Sequence, residues 1–201
     1  MRVPPKLAPI EIVIVPIVQG GDRRTIVRAG ELGDMLRNAG FRVRVDSRDE
    51  RPGWKYSEWE MRGVPIRIEL GPRDLEAESA VVVRRDREKN AADAKQTVRF
   101  ADLPQKLREV LGQIQLSMYL QAKSFLDSHT FRPLQRDEFF ELCRSRAGMV
   151  EIPWCGRIEC EALVKEATGA TTRNVHDLNE TARCVACGEP AKVLAYFAQS
   201  Y

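Results

Sequence analysis

The sequence predicts an α/β protein: a mixed β-sheet flanked by helices, followed by a smaller α+β domain that binds a metal. Three observations carry this reading. Strand-like and helix-like apolar patterns alternate through the first hundred residues, a long helical pattern follows, and all five cysteines fall after residue 142. The segment Ile10 to Val18 is rich in β-branched residues and ends in Gln19-Gly20-Gly21, a buried strand and its turn. Asp22 is placed to cap a helix in which Ile26, Val27, Ala29, Leu32, Met35 and Leu36 recur at helical spacing, until Asn38-Ala39-Gly40 stops it. Phe41, Val43 and Val45 alternate with Arg42, Arg44 and Asp46, a strand with one wet face, which completes a βαβ unit.

Pro52-Gly53 opens a helix over Trp54 to Arg62, and Gly63 ends it before a strand, Val64 to Leu70. Ala80 to Arg85 and Gln96 to Phe100 read as two further strands joined by a charged hairpin containing Lys89 and Asn90. Asp102-Leu103-Pro104 starts a long helix with Leu107, Val110, Leu111, Ile114, Leu116, Met118, Leu120, Phe125 and Leu126 as its apolar positions. Two domains are therefore expected, residues 1–102 and 103–201. A helix from Arg136 to Cys143 and a strand from Gly148 to Trp154 lead into the cysteine-rich region.

The 201 residues are 43% hydrophobic and 30% charged, an ordinary globular composition that excludes collagen-like, disordered and disulfide-scaffold classes. No apolar run is long enough for a membrane-spanning helix, and the N-terminus lacks the pattern of a secretory signal, so a cytoplasmic protein is expected. A net charge of +3 from 32 basic and 29 acidic side chains gives no general positive field. The small basic excess lies in the first half, where any polyanion is to be held by placed contacts.

Cys155, Cys160, Cys184 and Cys187 form the pattern C-x4-C-x23-C-x2-C. Two close pairs separated by a long loop suit four thiolates around a tetrahedral zinc, and Gly156 and Gly188 permit the tight turns such loops need. A closed four-sulfur site leaves no position for water, so the metal would hold the fold. A redox Cys-x-x-Cys and four unrelated buried thiols are the alternatives. Cys143 is left over as a core residue of its helix.

His129 and His176 stand alone, without nucleophile, Walker or dinucleotide-binding motifs, so no catalytic residue is named. The most unusual composition is Gly53-Trp54-Lys55-Tyr56-Ser57-Glu58-Trp59-Glu60, followed by Gly63-Val64-Pro65-Ile66-Arg67-Ile68-Glu69-Leu70-Gly71-Pro72-Arg73-Asp74. Tyr56 and Glu60, at i and i+4, share a helix face, whereas Trp59 points into the core. An aromatic beside an acid can stack on an unpaired base and accept from its N–H edge, with Arg67 and Arg73 for phosphates or base acceptors. A packed aromatic among solvated charges is the plainer alternative.

These blocks, with Pro4-Pro5-x-x-Ala8-Pro9-Ile10 through Ile17, Ala170-Thr171-Thr172-Arg173, the four cysteines and the terminal Tyr201, resemble the C-terminal part of prolyl-tRNA synthetases of the archaeal and eukaryote-like type. The resemblance covers nearly the whole chain. It implies a class II synthetase anticodon-binding fold followed by a domain stabilised by structural zinc on Cys155, Cys160, Cys184 and Cys187. It also implies that Tyr56 stacks near the anticodon, that Glu60 contacts the guanines of proline anticodons, that Arg67 and Arg73 line the same surface, and that Lys89, on the hairpin, reaches a guanine acceptor.

Tyr56 stands where phenylalanine is common and Arg73 where lysine is common, both keeping the chemical type. Tyr201 is implied to reach toward the catalytic domain. The expected partners are the tRNA(Pro) anticodon stem-loop and that catalytic domain, which belongs to a homodimer and binds ATP, Mg and proline. Because that core is not in this sequence, the chain reads as an excised fragment that recognises tRNA and does not charge it. A freestanding zinc-stabilised module that docks onto another protein is the alternative reading.

Overall fold

The computed structural model describes residues 1–21, 23–88 and 90–200. The expected helix cap Asp22 and the expected site residues Lys89 and Tyr201 lie outside the described residues. The chain divides into two compact units, residues 1–121 and 122–201, and the division falls within the long helix Leu103–Ser128.

The first unit contains β1 (Ile12–Pro16), α1 (Arg24–Asn38), β2 (Val43–Val45), α2 (Pro52–Met61), β3 (Ile66–Leu70), α3 (Pro72–Glu76), β4 (Ser79–Arg84), β5 (Lys95–Arg99) and α4 (Leu103–Ser128), whose end belongs to the second unit. The sheet order is β2-β1-β3-β4-β5. β1 runs parallel to β2 and β3, whereas β3, β4 and β5 are antiparallel in turn. Parallel neighbours need crossover connections, which α1 and α2 supply.

Side-chain alternation divides the sheet into two unlike faces. Ile12, Ile14, Ile66, Ile68, Leu70 and Val82 point to one face, where they pack with Leu32 and Leu36 of α1 and with Leu107, Val110 and Ile114 of α4. Val13 and Val15 point to the other and meet Trp59 of α2, with Tyr56 packed beside them. Strand pairing aligns Arg44, Val13, Arg67, Val83 and Lys95 in one row across that second face. The charged members of β3 therefore lie under α2, on the opposite side from the large core.

The second unit has β6 (Thr130–Phe131), α5 (Arg136–Ser145), β7 (Met149–Trp154), α6 (Ile158–Thr168), β8 (Ala170–Asp177) and β9 (Val193–Gln199), in sheet order β6-β7-β9-β8. Phe139 and Phe140 of α5, Ile152 and Trp154 of β7, Val164 of α6 and Phe197 of β9 form its core. Phe139 and Phe197 meet edge to face, as do Trp154 and Phe197, a favoured aromatic geometry. Cys143 is buried on α5, and burial pushes its thiol up to about 11, which makes it an inert core residue.

Five elements were not expected. α3 is a single turn with no buried residue, and β6 has only two residues. The inward stripe of α6 is Cys160, Val164 and Thr168, too poor in aliphatic side chains to show a helical period. β8 buries only Ala170, so it lacks alternation. β9 does alternate, burying Ala195 and Phe197, and was legible as a strand. In α4 the apolar positions up to Ile114 are buried, but Leu116, Leu120, Phe125 and Leu126 are exposed.

Ile68 is fully buried in the middle strand, whereas Val27 is exposed on α1. Ile68→Ala is expected to lower stability by about 2–5 kcal/mol, read from the urea midpoint of the first unit. Val27→Ala is expected to change it by less than about 0.5 kcal/mol. Equal effects of the two would contradict this packing.

Candidate functional site

A buried carboxylate fixes the helix that carries the candidate binding residues. Pro52 occupies the first turn of α2, where its missing N–H does no harm. Asp46, just beyond β2, accepts from Trp59 Nε1 at 2.7 Å and takes both Nε and Nη2 of Arg48, at 2.9 and 2.7 Å. Its backbone carbonyl accepts from Lys55 Nζ at 3.2 Å. Arg48 also reaches Glu58 at 2.7 Å, so α2 is tied to the strand along two of its turns. Burial pushes the Asp46 carboxyl up, but the hydrogen bonds from Arg48 and Trp59 outweigh it and hold the group at about 2.

With Trp59 anchored, Tyr56 and Glu60 border a cavity of about 350 Å3, whose other walls include Arg67 of β3 and Arg85, Arg87 and Lys95 of the β4–β5 hairpin. The Arg67 guanidinium lies 4.0 Å from the Tyr56 ring centroid, a cation–π stack. Its Nη1 donates to Glu60 Oε1 at 3.1 Å, and its Nε and Nη2 donate to Glu69 Oε1 at 3.0 and 2.9 Å. Lys95 Nζ is 3.7 Å from the other Glu69 oxygen. Burial, with help from Glu69, pushes the Tyr56 phenol up to about 12, so it stays a neutral donor with an intact aromatic face. An aromatic ring, a carboxylate and several cations around one cavity suit a flat heterocycle bearing both donors and acceptors.

The structure thus brings together Tyr56, Glu60 and Arg67. Arg73 does not join them: it is exposed on α3 and lines no part of the cavity. Lys89 is outside the described residues, although the neighbouring Asn90 lines the cavity. Sequence reasoning missed Glu69, Arg85, Arg87 and Lys95. Glu69 and Lys95 were accessible through the period-two alternation of β3 and β5, once the strand register is known.

The four cysteines of the second unit meet as the spacing predicts. Cys155 follows β7, Cys160 lies in the first turn of α6, and Cys184 and Cys187 belong to the β8–β9 connection. Their sulfurs all lie within 4.8 Å of one another. Cys160 and Cys184 are 3.8 Å apart, and Cys155 and Cys187 are 3.7 Å apart. A tetrahedral tetrathiolate with bonds of about 2.3 Å has sulfur–sulfur edges of about 3.8 Å, so the cluster can hold a metal ion. Gly156 and Gly188, at φ +74° and +79°, turn the chain in the left-handed region directly after Cys155 and Cys187.

Burial pushes the Cys160 and Cys184 thiols up, a cost that a bound cation removes by holding thiolates. The buried Trp154 indole N–H lies toward Cys160 and favours its thiolate. Burial opposes ionisation of Cys187 too, yet the Glu189 backbone N–H and the Arg157 guanidinium bring it to about 7.

Comparison with known families places these two units. Residues 11–110 match the family model described as the anticodon binding domain, and residues 136–201 match that of the prolyl-tRNA synthetase C-terminal domain. The first unit is accordingly an anticodon-binding domain of the kind found in class II synthetases. The chain belongs to the prolyl-tRNA synthetase family, whose C-terminal part it matches.

Among its relatives, the proline–tRNA ligase of Lachnospira eligens is 41% identical over 200 residues, which are 98% of this chain and 40% of the relative. That of Thermococcus kodakarensis is 41% identical over 208 residues, covering all of this chain and 42% of the relative. The Pyrococcus abyssi protein is 39% identical over the same length. The chain thus spans about two fifths of the length of these relatives.

The depressed Asp46 pKa has a defined consequence for stability. Because the folded value of about 2 lies below the ordinary 3.8, the contribution is complete above about pH 4 and is lost as pH falls through 2. Asp46→Asn is expected to be less stable than the parent by about 2 kcal/mol at neutral pH, with the gap narrowing as pH is lowered from 5 to 2. Urea unfolding across that range checks it; a gap independent of pH would contradict the clamp.

Proposed function

We propose that the first unit recognises the anticodon loop of tRNA(Pro), and that the second is a zinc-stabilised domain of the same synthetase. The observation that carries the reading is the shared cavity in which Tyr56, Glu60 and Arg67 converge. A carboxylate accepts from the N1–H and N2–H donors of guanine, cations suit its O6 and N7 acceptors, and an aromatic ring stacks on its face. The family resemblance assigns Arg73 to the same RNA surface, as a phosphate or base contact, and Lys89 to an acceptor of one of the guanines. In the intact enzyme a catalytic domain, in a cytoplasmic homodimer, would use ATP, Mg and proline to charge the tRNA. Among the described residues no helix is long and apolar enough to cross a membrane.

Anticodon stem-loops with and without the two proline guanines, titrated at fixed salt by fluorescence anisotropy, test the reading. The parent is expected to prefer the guanine loop by about tenfold or more per base, the range of one good base contact. Glu60→Ala is expected to lose that preference while its melting temperature stays near the parent's. Equal binding of all loops by the folded parent would refute anticodon readout.

Zinc is proposed as the metal because four thiolates at tetrahedral spacing suit it and leave no open position. Elemental analysis is expected to find one zinc per chain, and Cys184→Ser to lose the metal and to lower the melting temperature of the second unit. Well-folded protein with no bound metal would remove zinc from the account.

A further inference from the structure

The cations around the cavity differ in what they are already bound to. Arg67 is committed to Glu60, Glu69 and the Tyr56 ring. Arg87 donates to Asp93 at 2.7 Å and lies 3.5 Å from Asp86. Lys95 pairs with Glu69. Arg85 alone lacks such a partner: among the described residues its guanidinium has no ion pair, and its Nε is buried with no hydrogen-bond partner.

Its backbone is fixed, since Arg85 N donates to Pro65 O at 3.0 Å. A charged guanidinium on a cavity wall with no carboxylate partner keeps donors to offer a ligand that supplies acceptors. The residue continues the β4 alternation beyond Val83, on the face that carries Arg67, and it lines the same cavity as Glu60.

We propose that Arg85 is a specificity-determining contact that donates to the O6 and N7 acceptors of a guanine whose N1–H and N2–H edge is taken by Glu60. The proposal rests on the anticodon reading above and deepens it. Guanine presents donors on one edge and two acceptors on the adjoining one, and a guanidinium matches the latter as a pair of hydrogen bonds. Arg67, already saturated by two carboxylates, then serves to hold Glu60 and cover the Tyr56 ring. The base would enter between the α2 wall and the hairpin wall, with Glu60 on one and Arg85 on the other.

The test replaces each anticodon guanine in turn with 7-deazaguanine, which lacks N7 but keeps the edge that meets Glu60. At one of the two positions the parent chain is expected to lose about tenfold in affinity. Arg85→Met is expected to bind the guanine loop about tenfold more weakly and to be nearly indifferent to the 7-deaza change. A merely structural role would weaken every loop and leave the 7-deaza penalty intact, which would overturn the proposal. So would a phosphate contact, seen as uniform weakening with a shallower salt slope.

If Arg85→Met loses its cooperative melt, Arg85→Lys carries the same comparison. Its single nitrogen cannot span N7 and O6 as the planar guanidinium fork does, so a smaller 7-deaza penalty is expected, and an unchanged penalty overturns the assignment. A parent that prefers guanine to adenine yet ignores the missing N7 at both positions refutes the Arg85 contact only. A parent with no guanine preference refutes the anticodon reading itself.

Discussion

The candidate binding surface depends on one buried carboxylate. Asp46 carries no contact with the cavity, but it ends β2 and gathers Trp59, Arg48 and the Lys55 ammonium onto a single point. Removing one member would strand charged or polar groups in an apolar layer, which is far more costly than losing a surface ion pair. The anchored indole sets the rotation of α2, and the helical period then turns Tyr56 and Glu60 toward β3. A helix held only by apolar contacts could rotate by a fraction of a turn. The carboxylate fixes that angle, and with it the direction of the acid that meets the ligand.

The near balance of charge has a structural meaning at this site. Arg67 and Lys95 are pinned by Glu69, and Arg67 by Glu60 as well. Paired in this way, the cations do not make a diffuse positive field of the kind that binds any nucleic acid. They make a preorganised wall in which few donors are left over, so recognition falls to shape and to specific hydrogen bonds. The second unit shows a similar economy. Four sulfurs, drawn from just after β7, from α6 and from the β8–β9 connection, join its core, so a metal there would tie these segments together.

Much of this was legible in the sequence because the relevant periods are short. Alternation in residues 64–70 assigns Arg67 and Glu69 to one face of β3, and the i,i+4 spacing places Tyr56 beside Glu60. The cysteine pairs needed only their spacing. What was not legible depends on pairing between distant segments. The charged hairpin could be drawn, but Arg85 and Lys95 reach the cavity only because β4 and β5 pair in the register observed. Asp46 read as one more polar residue on a wet strand face, and only the fold shows it buried against Trp59. β8 and α6 escaped because an exposed edge strand and a helix with a cysteine and a threonine on its inner stripe lack the hydrophobic contrast that periodicity needs.

The two units also carry their own reporters. The chain has three tryptophans, and two of them are buried at the sites in question: Trp59 borders the cavity, and Trp154 packs beside the cysteine cluster. Each indole N–H gives a separate signal in a nitrogen-correlated proton spectrum, with Trp54, exposed on α2, as the third. Titrating the chain with an anticodon stem-loop that carries both proline guanines, while following these three signals, tests the central claim most directly. The account expects the Trp59 signal to move to saturation with the RNA while Trp154 stays in place. Saturable binding that leaves Trp59 unmoved, or that shifts Trp154 instead, would contradict it.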